Sequence, residues 1–130
     1  MGPMPAASAL DHIVLVVEDV ERSLDWYGRH AGLAAERVEA WRRGDVPFPS
    51  LRIDPGTIID LIPGRRDDGR GHLDHICFVV GADHQATLAA ELEVVDSGTR
   101  SGARGDAHSI YVRDPDGLLV EFRCYEVTPA

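Results

Sequence analysis

The chain has only two cysteines in 130 residues, Cys77 and Cys124, and both fall in apolar, strand-like runs. That is too few for a disulfide framework, and the expectation is two buried, reduced thiols in a cytoplasmic protein. Aromatic residues make up 6% of the chain, which is little for a groove that works by stacking. Basic residues are outnumbered, 13 against 22 acidic ones, for a formal net charge of −9. The balance excludes the basic face of a nucleic-acid binder and argues against docking on anionic membrane. No apolar run approaches the roughly 20 residues that span a bilayer. The opening "MGPMPAASA" lacks the basic region and long apolar core of a secretory leader, and Ala6 stands where a myristoylation motif wants Ser or Thr. Residues 1–9 read as a disordered tail and 126–130 as a second tail.

What is present is an ordinary globular composition, 44% apolar and 27% charged, and a length that suits one compact unit over 10–125. Leu10 to Glu18 reads as a strand. A helix follows, N-capped by Asp19, with Val20, Leu24 and Tyr27 at helical spacing and Gly32 as its stop. Trp26 and Tyr27 belong to that helix and its core. Three strands follow over 34–41, 48–53 and 57–62, with "RRGDVP" and "DPG" as turns. A polar, glycine-rich stretch over 63–72 reads as a linker. The order then repeats over 73–125. There is a strand over 73–80, a short helix capped by Asp83, and a short strand over 93–96. A long loop over 97–107 carries Arg100 and Arg104, and a hairpin of strands over 108–113 and 118–125 turns at "DPDG".

The repeat reaches the letters. "LDHIVLVV" begins at Leu10 and "LDHICFVV" at Leu73, which sets His12 and His75 63 residues apart. Asp60 in "IIDLI" and Glu121 in "LVEFR" hold the same place in the two last strands, 61 residues apart. Alternation along a strand puts His12 with Val14 and Val16, His75 with Cys77 and Val79, Asp60 with Ile58 and Ile62, and Glu121 with Leu119 and Arg123. These faces are expected to be buried in part or whole, and unpaired ionisable groups there are costly. A single histidine in an apolar strand is ordinarily a core residue bonded to backbone or a nearby carboxylate. Asp11 and Asp74 precede the histidines but alternate to the opposite face, which makes them poor partners. Two matched imidazoles and two matched carboxylates point instead to one shared divalent cation. No local zinc motif such as CxxC or HExxH is present. His30, His72 and His84 read as surface residues.

These residues carry a family likeness. "SIYVRDPDGLLVEFRCY", "LDHIVLVVEDVERSLDWYGRHAGL" and "IIDLIP" make the chain resemble the vicinal oxygen chelate superfamily, which includes glyoxalase I, methylmalonyl-CoA epimerase, extradiol dioxygenases, fosfomycin-resistance enzymes and bleomycin-resistance proteins. The resemblance implies an α+β fold of two tandem βαβββ modules, about 10–62 and 73–125, whose curved mixed sheets form a cup. It implies a homodimer, with the cup closed within one chain or by modules exchanged between chains. Carried over position by position, the implied metal ligands are His12, Asp60, His75 and Glu121. Asp60 is one methylene shorter than the Glu most frequent there, which puts its direct coordination in doubt. Two histidines and one carboxylate suit Fe(II) or Mn(II), with Zn(II), Ni(II) and Co(II) as alternatives.

The implied chemistry is chelation of a small substrate through neighbouring oxygens, with the metal as Lewis acid. A dioxygenase-like reaction leads, with Tyr111 as a nearby acid. A glyoxalase- or epimerase-type lyase or isomerase, with Glu121 or Asp60 as base, is the alternative. A thiol transferase acting on an epoxide antibiotic ranks lower, because Val14 stands where that branch has threonine. A non-catalytic drug-binding protein of the bleomycin-resistance type is a further alternative. Arg123, on the face of Glu121, is expected to hold an anionic substrate. Trp41 and Val14 are expected to line the cup, whereas strand parity sets His108, at the end of the loop, opposite to Tyr111.

Overall fold

The computed structural model describes residues 10–65, 73, 75–101 and 104–126. The expected tail 1–9, residues 127–130 of the expected tail 126–130 and most of the expected linker lie outside the described residues. The chain divides into two compact units, Met1–Asp67 and Asp68–Ala130.

The first unit runs β1 (His12–Val17), α1 (Val20–Trp26), a π-helical turn (Tyr27–Ala31), β2 (Ala34–Glu36), α2 (Val38–Arg42), β3 (Ser50–Asp54) and β4 (Thr57–Pro63). Its sheet has the order β1-β4-β3-β2, with β1 parallel to β4 and the other neighbours antiparallel. Asp19 caps α1 by accepting from the amide of Arg22 at 3.0 Å, and Gly32 ends the helical stretch in the left-handed region at φ 69°. α1 lies on the sheet beside β4. Leu15 and Val17 of β1 are buried with Val20, Leu24, Tyr27, Ile59 and Leu61.

The second unit repeats the plan with β5 (His75–Val79), α3 (Ala82–Glu91), β6 (Asp96–Arg100), β7 (Ala107–Arg113) and β8 (Leu119–Cys124). Its sheet order is β5-β8-β7-β6, again with one parallel pair, β5 with β8. Leu88 of α3 is buried with Ile110, Val112, Val120 and Phe122. Each unit is thus a mixed four-stranded sheet with a helix on one face, the α+β arrangement expected.

Several elements differ from expectation. The strand expected over 34–41 stops at Glu36. Arg37 turns the chain in the left-handed region at φ 62°, and Val38–Arg42 is helical. Trp41 therefore sits half-buried on α2 and not on a strand facing a cup. The strand expected over 93–96 is displaced to Asp96–Arg100, so Arg100 belongs to a strand and not to a loop. The cap of α3 is not Asp83. Glu126, expected in a tail, accepts the amide of Ala82 at 3.0 Å and satisfies the helix end from a distance of 44 residues.

The face of β1 that the helix covers also differs from expectation. Because "HIVLVV" is apolar on both faces, alternation alone does not say which one the helix covers. It covers the face of Leu15 and Val17. Val14 and Val16, which share the face of His12, are 47% and 38% exposed. Cys124 is buried as expected, whereas Cys77, on the face of His75, is exposed; no disulfide joins them.

One polar side chain ties the second unit together. Gln85 of α3 is buried and donates through Nε2 to the carbonyls of His108 and Phe122, at 3.0 and 2.9 Å. It thereby bonds the helix to both β7 and β8. Gln85→Leu keeps the volume and orphans two carbonyls, so we expect a loss of about 1–3 kcal/mol in urea denaturation.

Candidate functional site

In the second unit the residues of one sheet face form rows across the strands. Cys77, Glu121, Tyr111 and Asp96 are register neighbours on β5, β8, β7 and β6. Next to that row lie His75, Leu119 and Arg113, and on its other side Arg123, Ser109 and Gly98. Strand alternation delivers all of these side chains to one side.

Glu121 is the centre of this face. It is buried, and its two oxygens have different partners. Oε2 accepts from the hydroxyl of Ser109 at 2.6 Å and from Arg123 Nη1 at 3.0 Å. Oε1 lies 3.3 Å from His75 Nε2. Burial pushes the Glu121 carboxyl up, but hydrogen bonds from Ser109 and Tyr111 and the charge of Arg123 more than offset it. The carboxyl sits below the ordinary range and is ionised at neutral pH. The same carboxylate acts on its neighbours. Burial and then the Glu121 charge raise the Tyr111 phenol, so Tyr111 is a protonated donor at neutral pH. Partial desolvation of the thiol on the sheet face and then the Glu121 charge push Cys77 up to about 11, which makes it a poor nucleophile. The rings of His75 and Tyr111 meet edge to face, with centroids 6.0 Å apart.

Arg123 does not do what the sequence suggests. It is buried, and its terminal nitrogens are committed to the protein. Nη1 donates to Glu121 and to the Ser101 carbonyl, and Nη2 to the carbonyls of Arg100 and Gly105. It fixes Glu121 and ties it to the backbone at Arg100, Ser101 and Gly105, and leaves no terminal N–H group directed at an anionic substrate. His108 points to the other face. It lines a cavity of about 380 Å³ beside α3, with Gln85 and Cys124, away from Glu121.

The first unit repeats the theme with a different outcome. Asp60 is buried and its Oδ1 accepts from the Ser50 hydroxyl at 2.6 Å. Arg37 Nη2 donates to the same hydroxyl at 2.9 Å and stands 3.8 Å from the carboxylate. Asp60 is thus held by groups of its own unit. His12 is half-exposed, and its Nδ1 lies 2.7 Å from Asp11 Oδ2. This corrects the expectation that Asp11 is a poor partner. Asp11 precedes the first residue of β1, so strand alternation does not govern where it points. The hydrogen bond to Asp11 raises the His12 pKa above 6.5, against a smaller desolvation effect, with help from the charges of Asp11 and Asp60. Val14 stands beside Asp60 in the parallel pairing and is exposed.

Among the described residues no group of three or more His, Cys, Asp or Glu side chains is arranged to hold a metal ion. Taken separately, each unit brings one imidazole and one carboxylate of the expected set. The second-unit pair fits a divalent cation. Two adjacent ligands, each about 2.0–2.2 Å from a metal, lie about 3 Å apart, close to the 3.3 Å between His75 Nε2 and Glu121 Oε1. The orientation of Glu121 is set from behind by Ser109 and Arg123, as such ligands require.

A sequence model described as the Glyoxalase/Bleomycin resistance protein/Dioxygenase superfamily matches residues 9–122. Glyoxalase domain-containing protein RDO1 of Mycosarcoma maydis is 31% identical over 132 residues, which span 91% of this chain and 69% of that protein. Virulence protein STM3117 of Salmonella typhimurium is 29% identical over 122 residues, 89% of this chain and 83% of that one. Its crystal structure superposes with a TM-score of 0.70 at 26% identity, covering 94% of this chain and 100% of that chain. The fosfomycin resistance protein FosX of Listeria monocytogenes, solved with Mn(II) and 1S,2S-dihydroxypropylphosphonic acid, shares the fold. Its TM-score is 0.67 at 21% identity, over 93% of this chain and 95% of that one.

The Asp11–His12 contact is directly testable. A raised pKa means that folding favours the imidazolium, so Asp11→Asn should lower the His12 midpoint towards 6.5. The proton NMR titration of the His12 ring reads this, and an unchanged midpoint would show that the two groups do not interact.

Proposed function

Because the chain belongs to the Glyoxalase/Bleomycin resistance protein/Dioxygenase superfamily, we propose that it is a divalent-metal-dependent enzyme of the dioxygenase-like type, acting on a small substrate that chelates through neighbouring oxygens. In this reading His75 and Glu121 are the second module's ligands, and His12 is the imidazole donor of the first. Fe(II) or Mn(II) suits the nitrogen and oxygen donors. Asp60, engaged by Ser50 and Arg37, is an orienting residue and not a direct ligand. Two thiols with no disulfide between them agree with a reducing cytoplasm. The assembly that goes with this reading is the homodimer.

The observation that carries the choice of reaction is how the carboxylates are held. An isomerase needs a carboxylate that takes up and returns a proton, with a pKa near working pH. Glu121 is ionised, buried and anchored by Ser109 and Arg123, with its pKa pushed down. That suits a fixed anionic ligand and not a base. Tyr111, protonated and edge-on to His75, is the proton donor beside the pair. A bound cation would supply Lewis acidity to the chelating oxygens. Tyr111 would donate a hydrogen bond or proton to a substrate oxygen, and Ser109 and Arg123 would keep Glu121 in place.

The experiment has two steps. Protein prepared without chelator should hold about one divalent ion per chain by elemental analysis. His75→Ala and Glu121→Gln should each lower that content and weaken Mn(II) binding by tenfold or more, on the order of a lost ligand or its orienting partner. After anaerobic loading with Fe(II), a catechol panel should support oxygen uptake, and Tyr111→Phe should slow it by about 10²-fold or more. Turnover with Ni(II) or Co(II) in the absence of oxygen would instead establish the isomerase class.

A further inference from the structure

The second unit holds a cavity of about 420 Å³ whose lining includes His75, Asp96, Arg100, Tyr111 and Arg113. Its volume is that of a small-molecule site. It opens beside the face of Glu121, because Asp96, Tyr111 and Arg113 share that face by register.

The position of Arg100 is unusual. Its side chain does not extend from β6 into solvent but folds back along its own strand. Nη2 reaches Asp96 Oδ2 at 3.1 Å, Nη1 donates to the Thr99 carbonyl at 3.1 Å, and the guanidinium carbon stands 5.8 Å from the centre of the Tyr111 ring. The path runs across Gly98. That glycine has φ 152°, and a Cβ there would collide with Arg100 Nη1. Gly98 thus serves as a cradle for the guanidinium. The ion pair with Asp96 is weak, since Asp96 is 64% exposed and the two lie four residues apart on the surface. Such pairs contribute about 0–1 kcal/mol, so Asp96 holds Arg100 in place and yields easily to a better acceptor.

The charge around the cavity favours one kind of ligand. The chain has no lysine, and all 13 of its basic residues are arginines, in a molecule of net charge −9. An anion that enters therefore needs a local cation. The cavity offers two guanidiniums and one carboxylate, a balance suited to a monoanion. A planar fork beside an aromatic ring matches a carboxylate.

We propose that Arg100, lying across Gly98 and against Tyr111, determines substrate specificity by binding the carboxylate of a small organic acid in this cavity, with the acid's other oxygens directed at His75 and Glu121. The direction of those oxygens rests on the metal reading above, whereas the carboxylate contact does not. Arg123 has no part in it, because its terminal nitrogens are committed to Glu121 and three carbonyls.

The test uses metal-free protein and benzoate, which binds without chelating. Benzoate should shift the side-chain Nε–H signal of Arg100 and the ring signals of Tyr111 in NMR titrations. Arg100→Met should weaken benzoate about tenfold or more, the scale of one charge-assisted contact. Circular dichroism should be unchanged in Arg100→Met. Benzyl alcohol, the neutral analogue, should not distinguish wild type from Arg100→Met. Equal benzoate affinity in wild type and Arg100→Met would overturn the proposal, as would methylphosphonate binding more tightly than benzoate. If Mn(II) fails to bind while benzoate still discriminates, the metal reading falls and the role of Arg100 stands.

Discussion

A buried carboxylate organises the second unit. Glu121 sits on a sheet face among β-strands, where an uncompensated charge would cost several kcal/mol. Ser109 and Arg123 make its burial tolerable, with Ser109 two residues along its strand from the register partner of Glu121 and Arg123 two residues along Glu121's own strand. Arg123 is itself buried, so it must find acceptors of its own. It finds them in the carbonyls of Arg100, Ser101 and Gly105, and so the group that neutralises Glu121 also holds the end of β6. The placing of the β6 end that carries Arg100 and the depressed pKa of Glu121 both follow from this one arrangement.

The two units solve the same problem with different parts. In each, the last strand carries a buried carboxylate that accepts from a serine hydroxyl and lies near an arginine. In the second unit that arginine comes from the same strand. In the first it comes from Arg37, whose backbone turns in the left-handed region between β2 and α2. A non-glycine residue held there is strained by roughly 1–3 kcal/mol. The contacts of its guanidinium with Ser50 and with the face of Phe48, 5.1 Å away, are what the turn achieves.

Much of this was legible in the sequence. The duplicated strands and the matching offsets of His12, His75, Asp60 and Glu121 gave the two-module plan and placed each histidine and carboxylate of a unit on one sheet face. Asp19 and Gly32 marked the ends of the first helical stretch. Ser109 could have been found too, since it shares strand parity with Tyr111. What was illegible depends on long-range packing. "HIVLVV" does not say which face its helix covers. Nothing local marks Arg37 as the point where a strand becomes a helix, or Glu126 as the cap of a helix 44 residues away. Arg123 looked like a ligand-facing cation because parity gives its direction, but parity is silent on the three carbonyls that converge on it.

The difference in length between Asp60 and Glu121 now has a physical account within each unit. Asp60 lies directly opposite Ser50 in the antiparallel pairing of β3 and β4, and a short side chain reaches that hydroxyl. The position opposite Glu121 is taken by Tyr111, and the serine that binds it stands two residues away, opposite Arg123. A carboxylate that must bond diagonally to Ser109 with one oxygen while presenting the other to His75 needs the extra methylene. Shortening Glu121 to Asp would sacrifice one of those contacts, and lengthening Asp60 to Glu would push its carboxylate past Ser50. The serine position and the carboxylate length are therefore a matched pair in each unit, and the longer pair is the one that leaves an oxygen facing an imidazole.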